Sequence, residues 1–202
     1  MKPTATLIPA AGASTRLGFP KQLLAWNETT LLRDTLLKVL ELQTDPIVVV
    51  LGSNFEVIRD SISDLPVTIV HNEDWEQGMG SSLARGMQYI LHEHPEAEHV
   101  LITLCDLPLV QTKHYQRMLE MSNITRDSIV ATQFEELTGV PVILPEMYFS
   151  EIIKLKGDTG ARKIIASNSG NVVVIPSEIP FTDVDTTEAY EALLRDHTSE
   201  KK

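Results

Sequence analysis

The stretch LIPAAGASTRLGFPKQLL (residues 7–24) opens as an apolar strand and then changes character. "TATLIP" (4–9) reads as a buried strand, and a run of small residues follows it. Arg16 and Lys21 lie in that run, and residues 7–24 hold no acid to balance them. Small side chains let backbone N–H groups approach an anion closely, and glycine takes conformations that other residues avoid. Beside such a loop, Arg offers a planar fork and Lys a point charge to phosphate oxygens. Two standard phosphate motifs fail here. Walker A needs Lys after its second glycine, but Phe19 follows Gly18; the dinucleotide fingerprint needs glycine where Ser14 stands. An ordinary strand-to-helix turn accounts for the glycines but not for the two cations.

Outward from this loop, strand-like and helical patterns alternate. "TTLLRDTLLKVLEL" (29–42) has leucines at helical spacing, with Thr30 as an N-cap candidate. "PIVVVLG" (46–52) is apolar throughout, as in a strand buried on both faces. Helix is predicted over 54–63, strand over 66–71, helix over 79–94 and strand over 99–106, the last ending at Asp106. Helix over 111–122, strand over 128–133, an extended segment 139–145, helices over 146–155 and 159–168, and strand over 171–176 follow. A loop then leads into a final helix within 181–197. This alternation predicts an α/β fold: three αβα layers, Rossmann-like, around a mostly parallel sheet. With no repeat, low-complexity stretch or linker, residues 1–196 read as one domain and 197–202 as a polar tail expected to fray.

Charge narrows the function classes. The chain of 202 residues carries a net charge of −11, yet residues 1–40 sum to +3, leaving −14 for the rest. So acidic a body argues against nucleic acid, which is held by broad positive potential, and favours a small anionic ligand at a local cationic loop. No apolar run approaches a membrane span and no signal-peptide pattern opens the chain. The single cysteine, Cys105, rules out an internal disulfide, so a cytoplasmic location is the default expectation.

In parallel sheets ligands bind beyond the carboxyl ends of the strands, so the segments after each strand are the candidates. "HNEDWEQGMGSSLARGM" (71–87) puts Gly78, Gly80, Ser81 and Ser82 at a helix N-terminus, which suits an anion or a base edge. Taken alone, capping by Ser81 or Ser82 is the cheaper account. "LCDLPLV" delivers Asp106 over the crevice, where a carboxylate beside polyphosphate holds Mg²⁺; a turn cap is the alternative. "FTDVDTTEAY" offers Asp183 or Asp185 as a second metal ligand, although Asp185 before two threonines also reads as an N-cap. "KGDTGARKII" (156–165) gathers Gly157, Asp158, Gly160 and Arg162 in one turn, a second anion site or a simple turn.

Together these pieces resemble nucleotidyltransferases with a molybdenum-cofactor guanylyltransferase-like fold, whose signature is roughly A-[AG]-G-x-S-x-R-x-G-x-x-K. Ala10, Ala11, Gly12, Ser14, Arg16, Gly18 and Lys21 match it. "NEDWEQGMGSSLARGM", "CDLPLV", "GVPVILP", "GDTGARKII" and "DVDTTEAY" are similar, in order, to segments of the cytidylyl-transferring members. The resemblance implies that the 10–12 backbone and Ser14 contact the nucleotide, with Gly80, Ser81 and Ser82 nearby, and that Arg16 and Lys21 hold its phosphates. It implies Asp106 and Asp185 as Mg²⁺ ligands, Arg16, Lys21 and Asp106 as the catalytic set, and Gly139, Pro141, Asp158 and Arg162 on the acceptor side. Ala11 leans towards CTP, since guanylyl-transferring members usually have glycine there. The implied reaction moves CMP to a phosphorylated pterin cofactor, with a molybdoenzyme as possible client. Departures stand at Gly80 (often Ser), Val140 (often His or Asn) and Leu17 (often Met), the second on the acceptor side. Rival readings are transfer to a sugar or polyol phosphate, a non-catalytic nucleotide- or cofactor-handling module, and a nicotinamide-dependent oxidoreductase, the last weakened by the missing fingerprint.

Overall fold

The first apolar run becomes β1 (Thr4–Pro9), buried along its whole length. The structure, a computed structural model, describes residues 2–180, 182 and 184–200. After the loop, a two-strand ribbon of β2 (Ala25–Trp26) and β3 (Thr29–Thr30) leads into α1 (Leu31–Leu40). Thr30 caps that helix, its hydroxyl accepting from Arg33 N at 3.4 Å. β4 (Ile47–Leu51), α2 (Phe55–Ser61), β5 (Thr68–His71), α3 (Met79–Glu93) and β6 (His99–Ile102) continue the alternation. α4 (Thr112–Thr125), β7 (Ile129–Phe134), β8 (Leu137–Pro145), α5 (Phe149–Ile153), α6 (Ala161–Ser167), β9 (Val172–Pro176) and α7 (Thr187–Glu200) complete it.

The main sheet runs β5-β4-β1-β6-β8-β7-β9. β5, β4, β1 and β6 are mutually parallel, as are β7 and β9. β8 runs against both β6 and β7. The sequence pattern did not mark this hairpin. Only Glu135 and Glu136 separate β7 from β8, and so short a connection can join only antiparallel strands. Glu135 takes a φ of +49°, the left-handed geometry of a tight hairpin turn.

Helices cover both faces. Leu7, Val48 and Val50 pack with Leu83, Met87 and Ile90 of α3 and with the residues of α5 and α6. Ile8, Val49 and Leu51 pack on the other face with Leu36, Ile58 and Met118 of α1, α2 and α4. Each such side chain is worth about 1.5–3 kcal/mol when fully buried. Gly86 lets α3 approach the sheet: a Cβ there would lie 2.3 Å from Leu7 Cδ1 and 2.8 Å from Val50 Cγ2. A third cluster of Trp26, Leu31, Val184 and Leu193 docks α7 on the ribbon. α7 continues to Glu200, and His197 stacks on Trp26 with ring centroids 4.5 Å apart.

The chain runs outward from β1 through β4 to β5, then returns to place β6 on the other side of β1. The loops that leave β1 and β6 therefore diverge and open a crevice between them. β6 ends at Ile102, four residues short of the expected Asp106. Thr103 N still donates to Leu7 O at 3.3 Å, but Asp106 lies in the turn beyond.

Candidate active site

The crevice opens into a cleft of about 800 Å³, floored by the loops after β1 and β6 and walled by residues 75–83 and 158–163. The 10–21 loop is shaped from within. Ser14 and Gly18 have φ of +54° and +65°, and Lys21 N donates to Ser14 Oγ at 3.1 Å, so the loop closes on itself. Ala10 N donates to Val50 O at 2.8 Å and is used up in the sheet. The N–H groups of Ala11, Gly12 and Ala13 have no protein acceptor among the described residues, and all three residues line the cleft. They are the donors left for an anion.

Gln22 holds this segment, and sequence reasoning passed over it. Its side chain is buried; Nε2 donates to Ala10 O at 2.7 Å and to Gly12 O at 3.1 Å, tying the two ends of the exposed turn together. A glutamine in the otherwise apolar run "QLL" was the available signal.

The two loop cations, unbalanced in sequence, are balanced in space. Lys21 Nζ sits 2.6 Å from Asp106 Oδ2 and 2.9 Å from Asp185 Oδ1. Arg16 Nη2 reaches Asp185 Oδ2 at 3.0 Å. Burial opposes the Lys21 charge, but Asp106 and Asp185 outweigh it and hold the ammonium above its ordinary pKa. The hydrogen bond from Lys21, helped by its charge and that of Arg16, outweighs burial to keep the Asp185 carboxyl below the usual carboxylate range. Cys105 is a buried neighbour whose thiol is pushed up to about 12 by burial and by Asp106.

Asp185 is placed by its own backbone. Val184 N donates to Asp106 O at 3.3 Å, linking the two carboxylate-bearing segments. Ala189 N donates to Thr186 Oγ1 at 3.2 Å, so Thr186 caps α7 and Asp185 is left to the cleft. Asp183, the other candidate, lies outside the described residues.

The residue pair fits a hard divalent cation. Asp106 Oδ1 is buried and has no hydrogen-bond partner among the described residues, an acceptor left over after Lys21 takes Oδ2. The donors are carboxylate oxygens, the chemistry of a Mg²⁺ site completed by phosphate oxygens and water. Among the described residues no group of three or more His, Cys, Asp or Glu forms a self-sufficient metal site.

On the opposite wall the expected residues divide. Ser82 lines the cleft and accepts from Asn72 Nδ2 at 3.0 Å. Ser81 Oγ is turned inward, accepting from the same Asn72 nitrogen at 2.9 Å and lying 2.8 Å from Gly78 O. Neither serine caps α3, whose N-cap is Gly78 with φ of +93° and no side-chain cap. Gly80 is buried away from the cleft lining; a Cβ on it would lie 2.7 Å from Lys156 N and 2.9 Å from Leu155 C. A serine there would meet this backbone, so glycine lets the 155–157 segment close on α3. Asp158 and Arg162 line the cleft, as does Val140. Gly139 and Pro141 do not, but Gly139 makes room for Arg162, whose Nε would lie 3.1 Å from a Cβ there.

The family model of the MobA-like NTP transferase domain matches residues 6–195, from β1 to α7, including every element that lines the cleft. The chain belongs to this family. Molybdenum cofactor cytidylyltransferase of Escherichia coli K12 is 22% identical to the transferase over 184 residues, 91% of this chain and 92% of that one. Nicotine blue oxidoreductase of Paenarthrobacter nicotinovorans is 31% identical over 194 residues, 92% of this chain and 93% of its own. Among solved structures, Rv0371c of Mycobacterium tuberculosis H37Rv superposes with a TM-score of 0.83 at 28% identity, covering 96% and 98% of the two chains. Rv0371c is also solved in complex with manganese. The mostly parallel, helix-flanked sheet of the transferase is the nucleotidyltransferase fold, and among its described residues no helix is long and apolar enough to cross a membrane.

Proposed function

We propose that this nucleotidyltransferase uses CTP and Mg²⁺ to place CMP on the terminal phosphate of a phosphorylated pterin, molybdopterin or its molybdenum form, releasing pyrophosphate. The observation that carries the reading is the cluster of Lys21 and Arg16 on Asp106 and Asp185, beside the open N–H groups of residues 11–13. Phosphate-directed cations next to two carboxylates are what phosphoryl chemistry requires.

In the reaction an acceptor phosphate oxygen attacks the α-phosphorus, the new P–O bond forms, and the bond to the β-phosphate breaks. The acceptor phosphate is already ionised at neutral pH, so the chain supplies no strong base. The N–H groups of Ala11, Gly12 and Ala13 hold the triphosphate. Lys21 and Arg16 transfer their charge from the carboxylates to the departing pyrophosphate. Asp106 and Asp185 are the residues that would hold Mg²⁺, which would neutralise charge on the triphosphate. The Val140 side chain offers no polar atom to the acceptor, whose polar groups are assigned to Asp158 and Arg162 on the cleft wall.

The relative named an oxidoreductase is the reason to assay chemistry rather than binding alone. Pyrophosphate release with CTP, Mg²⁺ and the phosphorylated pterin tests the reading. Lys21→Ala and Asp106→Ala should each abolish release while keeping the native circular dichroism. Wild-type turnover in either variant overturns the site. A thermal-shift panel of CTP, GTP, UTP and ATP settles the base: a nucleotide at a hundred times its Kd stabilises by about 2.7 kcal/mol. A shift with GTP and none with CTP refutes the cytidylyl assignment.

A further inference from the structure

One ammonium touches both carboxylates that would hold the metal. Lys21 Nζ, on a side chain only 20% exposed, bridges Asp106 Oδ2 at 2.6 Å and Asp185 Oδ1 at 2.9 Å. Arg16 takes the second oxygen of Asp185 at 3.0 Å. Among the described residues two carboxylates are thus matched by two cations, and this group is neutral without any metal. Asp106 Oδ2 and both Asp185 oxygens already carry a cation, so a divalent ion bound by both carboxylates would have to crowd or displace Nζ, and like charges at such separations repel by several kcal/mol at an effective dielectric of about 20.

The geometry points to Lys21 as the tenant of the metal position, so that the site takes up a preformed metal–nucleoside triphosphate complex and refuses the free cation. The triphosphate is the group able to draw Lys21 and Arg16 off the carboxylates, and the metal then replaces their charge. Neutrality is preserved on both sides of the exchange: the cations move to phosphate as the metal moves to carboxylate. Asp106 Oδ1, buried and without a partner among the described residues, is the oxygen that waits for this exchange. The inference rests on the nucleotide reading above and adds an order of binding to it. Binding linkage makes the competition reciprocal: whatever holds Lys21 on the carboxylates weakens metal by the same factor.

The test is a Mn²⁺ titration followed by electron paramagnetic resonance, without nucleotide, on wild type, Lys21→Met, Lys21→Arg and Lys163→Met, each checked for native circular dichroism. Lys163→Met removes the same charge from the same cleft without touching the cluster. Lys21→Met should bind free Mn²⁺ about tenfold tighter than wild type or more, in the range typical of coupled sites. Lys21→Arg keeps a cation on the carboxylates and should stay weak, and Lys163→Met should change affinity less than about twofold. Adding Asp106→Asn to Lys21→Met should return binding to the wild-type level. An unchanged affinity in Lys21→Met overturns the tenancy, and so does an equal gain in Lys163→Met, which would mean diffuse charge alone. A parallel titration of wild type with Mn²⁺ plus each nucleoside triphosphate separates the two readings. Failure to bind any such complex defeats the nucleotide reading and the inference together. Binding of the complex with no gain in Lys21→Met defeats the inference alone.

Discussion

Replacing Gln22 with methionine separates a positioning role from a structural one. Gln22 is 1% exposed, and its Nε2 donates to Ala10 O at 2.7 Å and to Gly12 O at 3.1 Å, while Oε1 is buried without a partner among the described residues. Methionine has nearly the same length and no strong polar atom. Ala10 is 4% exposed, so its carbonyl loses a donor that water does not readily replace, at a cost of about 1–3 kcal/mol. Gly12 is exposed, and water can take over at its carbonyl for little. Against the Ala10 cost, the substitution also deletes the unsatisfied Oε1, a relief of about the same 1–3 kcal/mol. The two nearly cancel, so urea denaturation should place the variant within about 1 kcal/mol of wild type, a melting shift within roughly 2–4 °C for a chain of this size. Nucleotide binding has no such compensation. With the turn untethered, ordering it on binding costs about 1.4 kcal/mol, and calorimetry should read a Kd for the nucleotide about tenfold weaker. A loss of more than about 3 kcal/mol in stability with unchanged nucleotide affinity would refute the reasoning and leave Gln22 a core residue only.

Gly80→Ser should lower stability by about 1–3 kcal/mol, because its Cβ meets the backbone at Lys156 N rather than a yielding side-chain tip; thermal melting reads the loss, and an unchanged melt refutes the packing argument. His99 and His114 both have pKa values lowered by burial, so on unfolding each imidazole returns to about 6.5 and takes up a proton before the native state does. Stability is therefore steady above about pH 6.5 and falls as pH drops below it, and His114→Gln should flatten that fall in urea midpoints measured from pH 8 to 5. Cys105 is 3% exposed, so a thiol reagent should modify it only on unfolding; rapid modification of the native chain would contradict the burial.

The parts of the fold that were legible in sequence are those set by local pattern. The uninterrupted apolar run 47–51 became the buried strand β4, the strand-like TATLIP became β1, and Thr30 capped α1 as its spacing indicated. The loop cations were visible, but their partners were not, because Arg16 meets Asp185 across 169 residues and Lys21 meets Asp106 across 85. Such pairs are created by strand order, which local periodicity does not encode. The antiparallel β8 escaped for a related reason: its apolar side chains look the same in either direction, and only the two-residue turn distinguishes them. Ser81 and Ser82 looked like caps because composition favours them there, yet the positive φ of Gly78 already ends the preceding turn and starts α3.

The link from Lys21 to Asp185 spans 164 residues. At roughly 5–20 residues per second, a ribosome needs about 10–30 s to travel that distance. During that interval an emerging chain already carries the first loop and later Asp106, but not the carboxylate on which Arg16 rests. The charge cluster is thus a feature of the finished polypeptide, and nascent chains present Arg16 to the cell without its counter-charge. An early-made cationic loop waiting for a late-made acid is exposed to cellular anions before the final helix docks.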